Sequence, residues 1–525
     1  MTVQVYDTTL RDGAQQEGLN LSVADKLAIA VHLDNLGVGF IEGGWPGANP
    51  KDTEFFSRAA AGELTLNHAV LAAFGSTRRA GGEAASDPLV QALLDAQTPV
   101  VCLVAKSHSG HVERALKTTT EENLAMVRDT VSFLHGSGRR VFVDCEHFFD
   151  GYALDRDYAL AVVRTAAEAG AEVVVLCDTN GGMLPTQVSE AVADVVEQTG
   201  ANLGIHAHND TGCAVANSMA AIAAGAMHVQ GTVNGYGERT GNADLLTVVA
   251  NLQLKRGYDL VEPARLAQSL HLAHAISEIT NIAPHGRQPY VGHSAFAHKA
   301  GLHASALRVD PDLYQHIDPT LVGNSMRTLV SDMAGRASIE LKGKELGYDL
   351  TGQPELLARM VSKVKERENQ GWTYDAADAS FELLLRDEVV GEPLSYFQVE
   401  SWRVISESGQ EGGTSEATVK LQAAGRRVIA TGEGNGPVNA LDHALREALA
   451  SAYPELEKLE LVDFRVRILD ASHGTDAVTR VLINTRNDQR TWTTIGVAPN
   501  IVQASWVALL DSFAYGLLKA GVEPR

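Results

Sequence analysis

His206 and His208 stand two residues apart at the end of an apolar run, LGIHAHND at residues 203–210. In an extended strand that spacing puts both imidazoles on one side, where they can converge on one cation. Asp12 follows another apolar run and brings a hard anionic oxygen, and Asn242 follows a third. Two imidazoles and a carboxylate that leave positions open suit a divalent metal that must also take substrate oxygens. The plain alternative is a set of polar residues on a rim. Arg11 directly precedes Asp12. Strand alternation would separate the two side chains, but a loop can turn both inward. A guanidinium there can stabilise an oxyanion or an α-keto carboxylate, or it can form a structural salt bridge. Glu146, next to His147, offers a general acid/base or a solvated loop carboxylate. Further on, AHKAGLHA at residues 297–304 combines His298, His303 and Lys299 with a glycine that permits close backbone approach. His303 can act as an acid/base and Lys299 can face a phosphate, unless both are surface residues. Tyr314 is open between packing and a hydroxyl aimed at the site.

These residues need a scaffold that brings separate strand ends together. Short β-rich apolar runs recur at residues 3–6, 39–41, 69–73, 100–104, 140–144, 172–176, 203–206 and 228–232, with segments of helical period between them. One such segment opens with Ser22 and Asp25 as a capping box, continues as a stripe of Val23, Leu27, Ala30 and Val31, and stops at Gly37. Eight β-α units at roughly 30-residue spacing predict a closed (β/α)8 TIM barrel, an α/β fold, over residues 1–275. Active sites of that fold sit where strands run into loops on the C-terminal face, and the polar clusters fall there. Residues 276–389 turn to Pro/Gly/His-rich loops with helices, including one over 355–368, and read as connector subdomains. Residues 390–525 repeat themselves: aligning Gly432 with Gly496 and Ala440 with Ala504 puts Leu445 on Leu509 and Leu449 on Phe513. Two β-β-α copies predict a pseudo-symmetric α+β regulatory or dimerisation domain.

Composition narrows the function classes. In 525 residues, 43 Lys+Arg against 65 Asp+Glu leave a formal charge of −22, which argues against generic binding to nucleic acid or to an anionic membrane. The N-terminus lacks the pattern of a signal peptide, and no uninterrupted apolar run approaches a membrane span, so the expected location is cytoplasmic. Cys102, Cys145, Cys177 and Cys213 are widely spread and read as reduced core or near-core thiols.

Four ordered motifs, DTTLRDG at 7–13, HAHND at 206–210, GERTGN at 237–242 and HKAGLH at 298–303, resemble the 2-isopropylmalate synthase, homocitrate synthase and citramalate synthase family. EGGWPG at 42–47, EHFFDG at 146–151 and CDTNGG at 177–182 are most similar to its citramalate synthase branch. The resemblance implies a metal-containing TIM barrel that condenses acetyl-CoA with a 2-keto acid and hydrolyses the thioester. With pyruvate the products are citramalate and CoA, feeding isoleucine synthesis. It implies Asp12, His206 and His208 as ligands of Mn²⁺, Mg²⁺ or Zn²⁺, with Asn242 as a fourth or near ligand. Arg11 and Thr179 would hold the keto acid, and Glu146 and His303, with Tyr314 nearby, would move protons. A homodimer and an amino-acid effector, isoleucine or else leucine, complete the expectation.

Three alternatives stand beside it. The same chemistry on another keto acid would make the chain a 2-isopropylmalate or homocitrate synthase. A carbon–carbon lyase of the 3-hydroxy-3-methylglutaryl-CoA lyase kind would run the reverse chemistry, but residues 231–242 contain no cysteine to serve as its acid. A non-catalytic ligand-binding protein is the third. Trp45, after the second run, either narrows the keto-acid pocket or is an ordinary packed aromatic.

Overall fold

The computed structural model describes residues 3–409, 412–469 and 477–525. The chain forms two compact units, Met1–Phe296 with Ile317–Ser325, and Ala297–His316 with Met326–Arg525. In the first, β1 (Gln4–Asp7), β2 (Phe40–Glu42), β3 (Val70–Ser76), β4 (Val100–Lys106), β5 (Arg140–Glu146), β6 (Val173–Asp178), β7 (Leu203–Ala207) and β8 (His228–Gly231) close a parallel barrel in sequence order. All eight expected runs are strands.

The two-residue period of a strand sorts the side chains. In β5, Val141, Val143 and Cys145 pack outward with the helices, whereas Phe142 fills the barrel interior with Tyr6, Phe40, Val100 and Val173. Asp144 and Glu146 continue the Phe142 side toward the C-terminal end. The interior is thus apolar at the bottom and becomes charged as each strand reaches its loop.

The helix Val23–Leu36 starts as expected: the Asp25 N–H donates to Ser22 Oγ at 3.2 Å, the Ser22 N–H donates back to the Asp25 carboxylate at 2.8 Å, and Gly37 ends the helix at φ +91°. Its buried stripe differs from the expected one. Ile29, Ala30, Leu33 and Leu36 face the core while Val31 is 44% exposed. Lys26 is buried too, because its ammonium donates to the Gly43 carbonyl at 3.0 Å and pairs with Asp52, which also accepts the Trp45 N–H. An apolar count assigns a lysine to the solvent, but here it ties the helix to the loop after β2.

On the same helix, buried Asp34 accepts the backbone N–H groups of Asn67, His68 and Ala69 at 2.8–2.9 Å, just ahead of β3. Burial works against its charge, but these three donors hold the carboxyl below the ordinary range. A depressed folded-state pKa stabilises the fold above the unfolded value of about 3.9, and that stabilisation disappears as pH falls through the folded value. Asp34→Asn turns an amide against one of the donors and is expected to cost about 1–3 kcal/mol at pH 7. Urea midpoints of the two proteins should converge below about pH 4. A gap that persists unchanged at pH 3 would contradict the assignment.

In the second unit, β9 (Ala297–His298) and β10 (Arg327–Thr328) pair in parallel, and the helices Arg336–Glu345, Pro354–Asn369 and Asp378–Val390 bury Ile339, Met360, Val364, Phe381 and Leu385. The strands β11 (Phe397–Gly409), β12 (Gly412–Ala423) and β13 (Arg426–Gly434) then form an antiparallel sheet, followed by the helix Pro437–Leu449. A second copy follows with β14 (Glu460–Ile468), β15 (Thr479–Arg486), β16 (Thr491–Ala498) and the helix Ile501–Lys519. Each copy carries one strand more than the expected β-β-α unit. The repeat register holds at atomic level: a Cβ on Gly432 would meet Ala444 N at 2.3 Å, and one on Gly496 would meet Ala504 O at 1.9 Å. Both strands need a glycine where the helix lies on them, and the paired Leu445 and Leu509, Leu449 and Phe513 are all buried. Among the described residues one helix, Ile501–Lys519, is long and apolar enough to cross a membrane, and it is the packed helix of the second sheet, with Ala504, Ala508, Leu509 and Phe513 buried.

Candidate active site at the barrel mouth

Asp12, His206 and His208 meet, although they come from the loop after β1 and the end of β7. Asp12 Oδ2 lies 3.2 Å from His206 Nε2 and 3.5 Å from His208 Nε2, and all three residues are buried. Asn242 completes the cluster, its Nδ2 donating to Asp12 Oδ2 at 2.5 Å. A bridge pairs Asn242 with His208, so the loop after β8 is registered on the end of β7.

Arg11 turns inward beside Asp12, as a loop permits. Its Nη1 donates to Asp12 Oδ1 at 2.7 Å and its Nε to Glu42 Oε2 at 2.6 Å, while the guanidinium lies 3.9 Å over the Phe74 ring. Glu42 also accepts the Tyr6 hydroxyl at 2.8 Å. Burial opposes the charge on Asp12, but Arg11 and the two imidazoles outweigh it and keep the carboxyl well below its ordinary value. Burial likewise opposes a proton on His206, and the contact with Asp12 reverses that and raises its pKa. His208 is pushed down to about 4, by burial first and then by His206. A neutral imidazole is the form that binds metal.

The residues fit a divalent cation. Donor atoms of Asp12, His206 and His208 lie within 4.8 Å of one another, and His208 Nδ1 and Asn242 Oδ1 are buried with no partner. Buried polar atoms are otherwise nearly always satisfied. Two imidazoles, a carboxylate and an amide suit Mn²⁺, Mg²⁺ or Zn²⁺ with positions left for substrate oxygens.

Glu146 ends β5 and pairs with Lys106 at the end of β4, in register with it. Thr179 accepts the His147 N–H at 2.8 Å, so its hydroxyl also braces the loop after β5. Trp45 packs edge-on against Phe74 with ring centres 5.4 Å apart. His303 and Tyr314 belong to the second unit, where their rings lie 4.1 Å apart. Lys299 forms an ion pair with Asp375 at 2.7 Å. Cys102, Cys145 and Cys177 are buried free thiols, and Cys213 is half-buried.

Several residues of the site had no assigned role in the sequence reading. Gln230 stands 2.8 Å from His206 Nδ1 and donates to Asp144 at 3.0 Å. Inward alternation in β5 and β8 was the available signal, since Asp144 lies two residues after Phe142 on one face of its strand. His108 stacks on His111 with centres 4.2 Å apart, and His111 meets the edge of His147 at 4.4 Å. The i,i+3 spacing of the first two was visible in the sequence, whereas their meeting with His147 was not.

Comparison with known proteins agrees with this architecture. The HMGL-like family matches residues 2–281, the homocitrate synthase post-HMGL domain-like family residues 290–371, and the LeuA allosteric (dimerisation) domain residues 375–517. The (R)-citramalate synthase of Streptomyces coelicolor is 66% identical over 99% of this chain and 97% of its own length. Those of Synechocystis and Aquifex aeolicus are each 48% identical, over 98% of this chain and 96% and 98% of their own lengths respectively. With an eight-stranded barrel, its carboxylate–imidazole mouth and full-length identity of this order, the chain belongs to the citramalate synthase branch of the HMGL-like family.

Proposed function

We propose that the protein condenses acetyl-CoA with pyruvate and hydrolyses the resulting thioester, releasing citramalate and CoA. The observation that carries this reading is the junction, at one barrel mouth, of a cluster suited to a cation with an arginine bound to the same carboxylate. Asp12, His206 and His208 would hold the metal, with Asn242 beside them. When bound, a divalent cation supplies Lewis-acid polarisation of the keto acid's carbonyl.

Arg11, its fork set by Glu42 and Asp12, holds the keto-acid carboxylate or the oxygen that takes up charge, and Thr179 helps to seat it. Glu146, or His303, removes a proton from the acetyl methyl. The resulting carbanion bonds to C2 of pyruvate, the former carbonyl oxygen gains a proton, and water then displaces CoA from the thioester. Tyr314, against His303, supplies a hydroxyl to the same proton traffic. Burial of Arg11 and its two carboxylate partners excludes water from the charge-bearing edge and strengthens those contacts.

Trp45 and Phe74 crowd the Arg11 edge of the mouth, which supports a small 2-substituent. Each extra methylene that must be accommodated is worth roughly 1–3 kcal/mol of discrimination. Thiol release with pyruvate is therefore expected to exceed that with 2-oxobutyrate, 2-oxoisovalerate and 2-oxoglutarate in kcat/KM. Preference for 2-oxoisovalerate would move the protein to 2-isopropylmalate synthesis, and preference for 2-oxoglutarate to homocitrate synthesis.

The second unit supports a homodimer and feedback by an amino acid. Exposed Val462, Phe464, Val466 and Ile468 on β14 offer apolar surface to a second copy. A cavity of about 760 Å³ at the start of the helix Pro437–Leu449 is lined by Asn435, Asn439, Asp442, Val462 and Phe464, and Asp442 Oδ1 is buried without a partner. Backbone N–H groups there suit a carboxylate, Asp442 an ammonium, and the apolar wall a branched side chain. Isoleucine, or else leucine, is expected to inhibit the full chain, and removing residues after 390 to abolish that response with metal binding retained. Calorimetry that detects neither amino acid at millimolar concentration would leave dimerisation as the domain's task. The free thiols and the acidic composition fit a cytoplasmic enzyme of small substrates.

A further inference from the structure

Below the proposed metal ligands a polar chain crosses the barrel interior. His206 Nδ1 lies 2.8 Å from Gln230 Oε1, and Gln230 Nε2 lies 3.0 Å from Asp144 Oδ1. The three residues sit on β7, β8 and β5, and Gln230 is completely buried. An amide group has one acceptor end and one donor end. Because Asp144 takes the donor end, the acceptor end must face His206, and a carbonyl oxygen can only accept. The proton of a neutral His206 is therefore on Nδ1, and its lone pair is on Nε2, which points at Asp12 Oδ2. A lone pair facing a carboxylate oxygen at 3.2 Å is unfavourable unless a cation or a proton lies between them.

We propose that Gln230, held by Asp144, is a positioning residue that fixes the ring orientation and tautomer of His206 so that Nε2 is presented as a metal ligand. The inference rests on the reading of Asp12, His206 and His208 as a metal site. Asp144 acts at one further remove, since it decides which end of the Gln230 amide faces the imidazole. On its other side Asp144 faces Glu42 and Cys102, the polar atoms of the three lying within 4.8 Å of one another. Arg11 satisfies Glu42 from above. The interior polar layer thus divides into two supports, Glu42 for Arg11 and Asp144–Gln230 for His206. Partners one step removed from a metal orient the ligand and raise its basicity.

The test is the Zn²⁺ dissociation constant of the full-length protein, measured by chelator competition. Gln230→Met keeps the volume and removes the acceptor, and it should weaken Zn²⁺ by about 10–100-fold. Gln230→Glu keeps an acceptor opposite Nδ1 and should weaken it less. His208→Ala, measured alongside, separates the two ideas: if it leaves affinity unchanged, the metal reading falls. If it weakens binding while Gln230→Met stays within twofold of the parent, the positioning role falls and the metal site stands. A readout that needs no variant to fold is the ¹⁵N spectrum of the Zn²⁺-loaded parent, in which His206 should carry its proton on Nδ1 and ligate through Nε2. A ring that ligates through Nδ1, or carries no proton there, overturns the proposal.

Discussion

Stripping divalent cations from the protein should abolish CoA release, and adding back Mn²⁺, Mg²⁺ or Zn²⁺ should restore it. Asp12 Oδ2 is shared by two imidazole nitrogens at 3.2 and 3.5 Å, with Arg11 on the other oxygen. Without a cation His208 Nδ1 and Asn242 Oδ1 remain buried and unsatisfied, although His206 Nδ1 has Gln230. His208→Ala should weaken metal binding and turnover by more than the roughly 10–100-fold typical of residues one step removed from a metal. The fold should survive, because His208 lies beyond the last residue of β7, at the barrel mouth rather than in its apolar interior. Circular dichroism and a melting curve check that the fold is retained. Full turnover after metal removal verified by elemental analysis would sink the assignment.

Glu146→Gln should leave metal affinity intact and lower kcat by about 10²–10⁴-fold, the usual contribution of a positioned acid or base. The amide has the size of the carboxylate but cannot accept the acetyl proton, so kcat and kcat/KM should fall together, as for an interaction made only in the transition state. The variant also removes the ionic partner of Lys106, whose ammonium then remains beside a neutral amide. Lys106→Met tests whether that pairing is what matters: a loss much smaller than that of Glu146→Gln assigns the proton step to the carboxylate. His303→Ala should show the same signature, retained metal and reduced turnover. Near-parental turnover in either variant removes that residue from the reaction.

How much of this was legible in the sequence depended on the range of the interaction. The eight strands, the Ser22–Asp25 capping box and the glycine register of the repeat are local or periodic signals, and all are found in the structure. The expected stripe of the helix Val23–Leu36 fails at Val31, which is exposed, and does not include Lys26, whose burial depends on Asp52 beyond the next strand. His206 and His208 could be paired from their spacing alone, and Asp12 could be added only on the premise of a barrel.

The sequence by itself determined the strand–helix alternation, the placing of charged residues just after apolar strands, and the residue types able to hold a cation and move a proton. Strand period and helix capping are encoded within a few residues, so they survive without tertiary information. Only the tertiary structure decided which polar groups touch. Asn242 reaches Asp12 across 230 residues, Gln230 reaches Asp144 across 86, and Arg11 chooses Glu42 across 31. Those partners follow from the register in which eight tilted strands close on themselves. A shift of one residue in any strand would turn its inward side chains outward, and no local pattern specifies that choice.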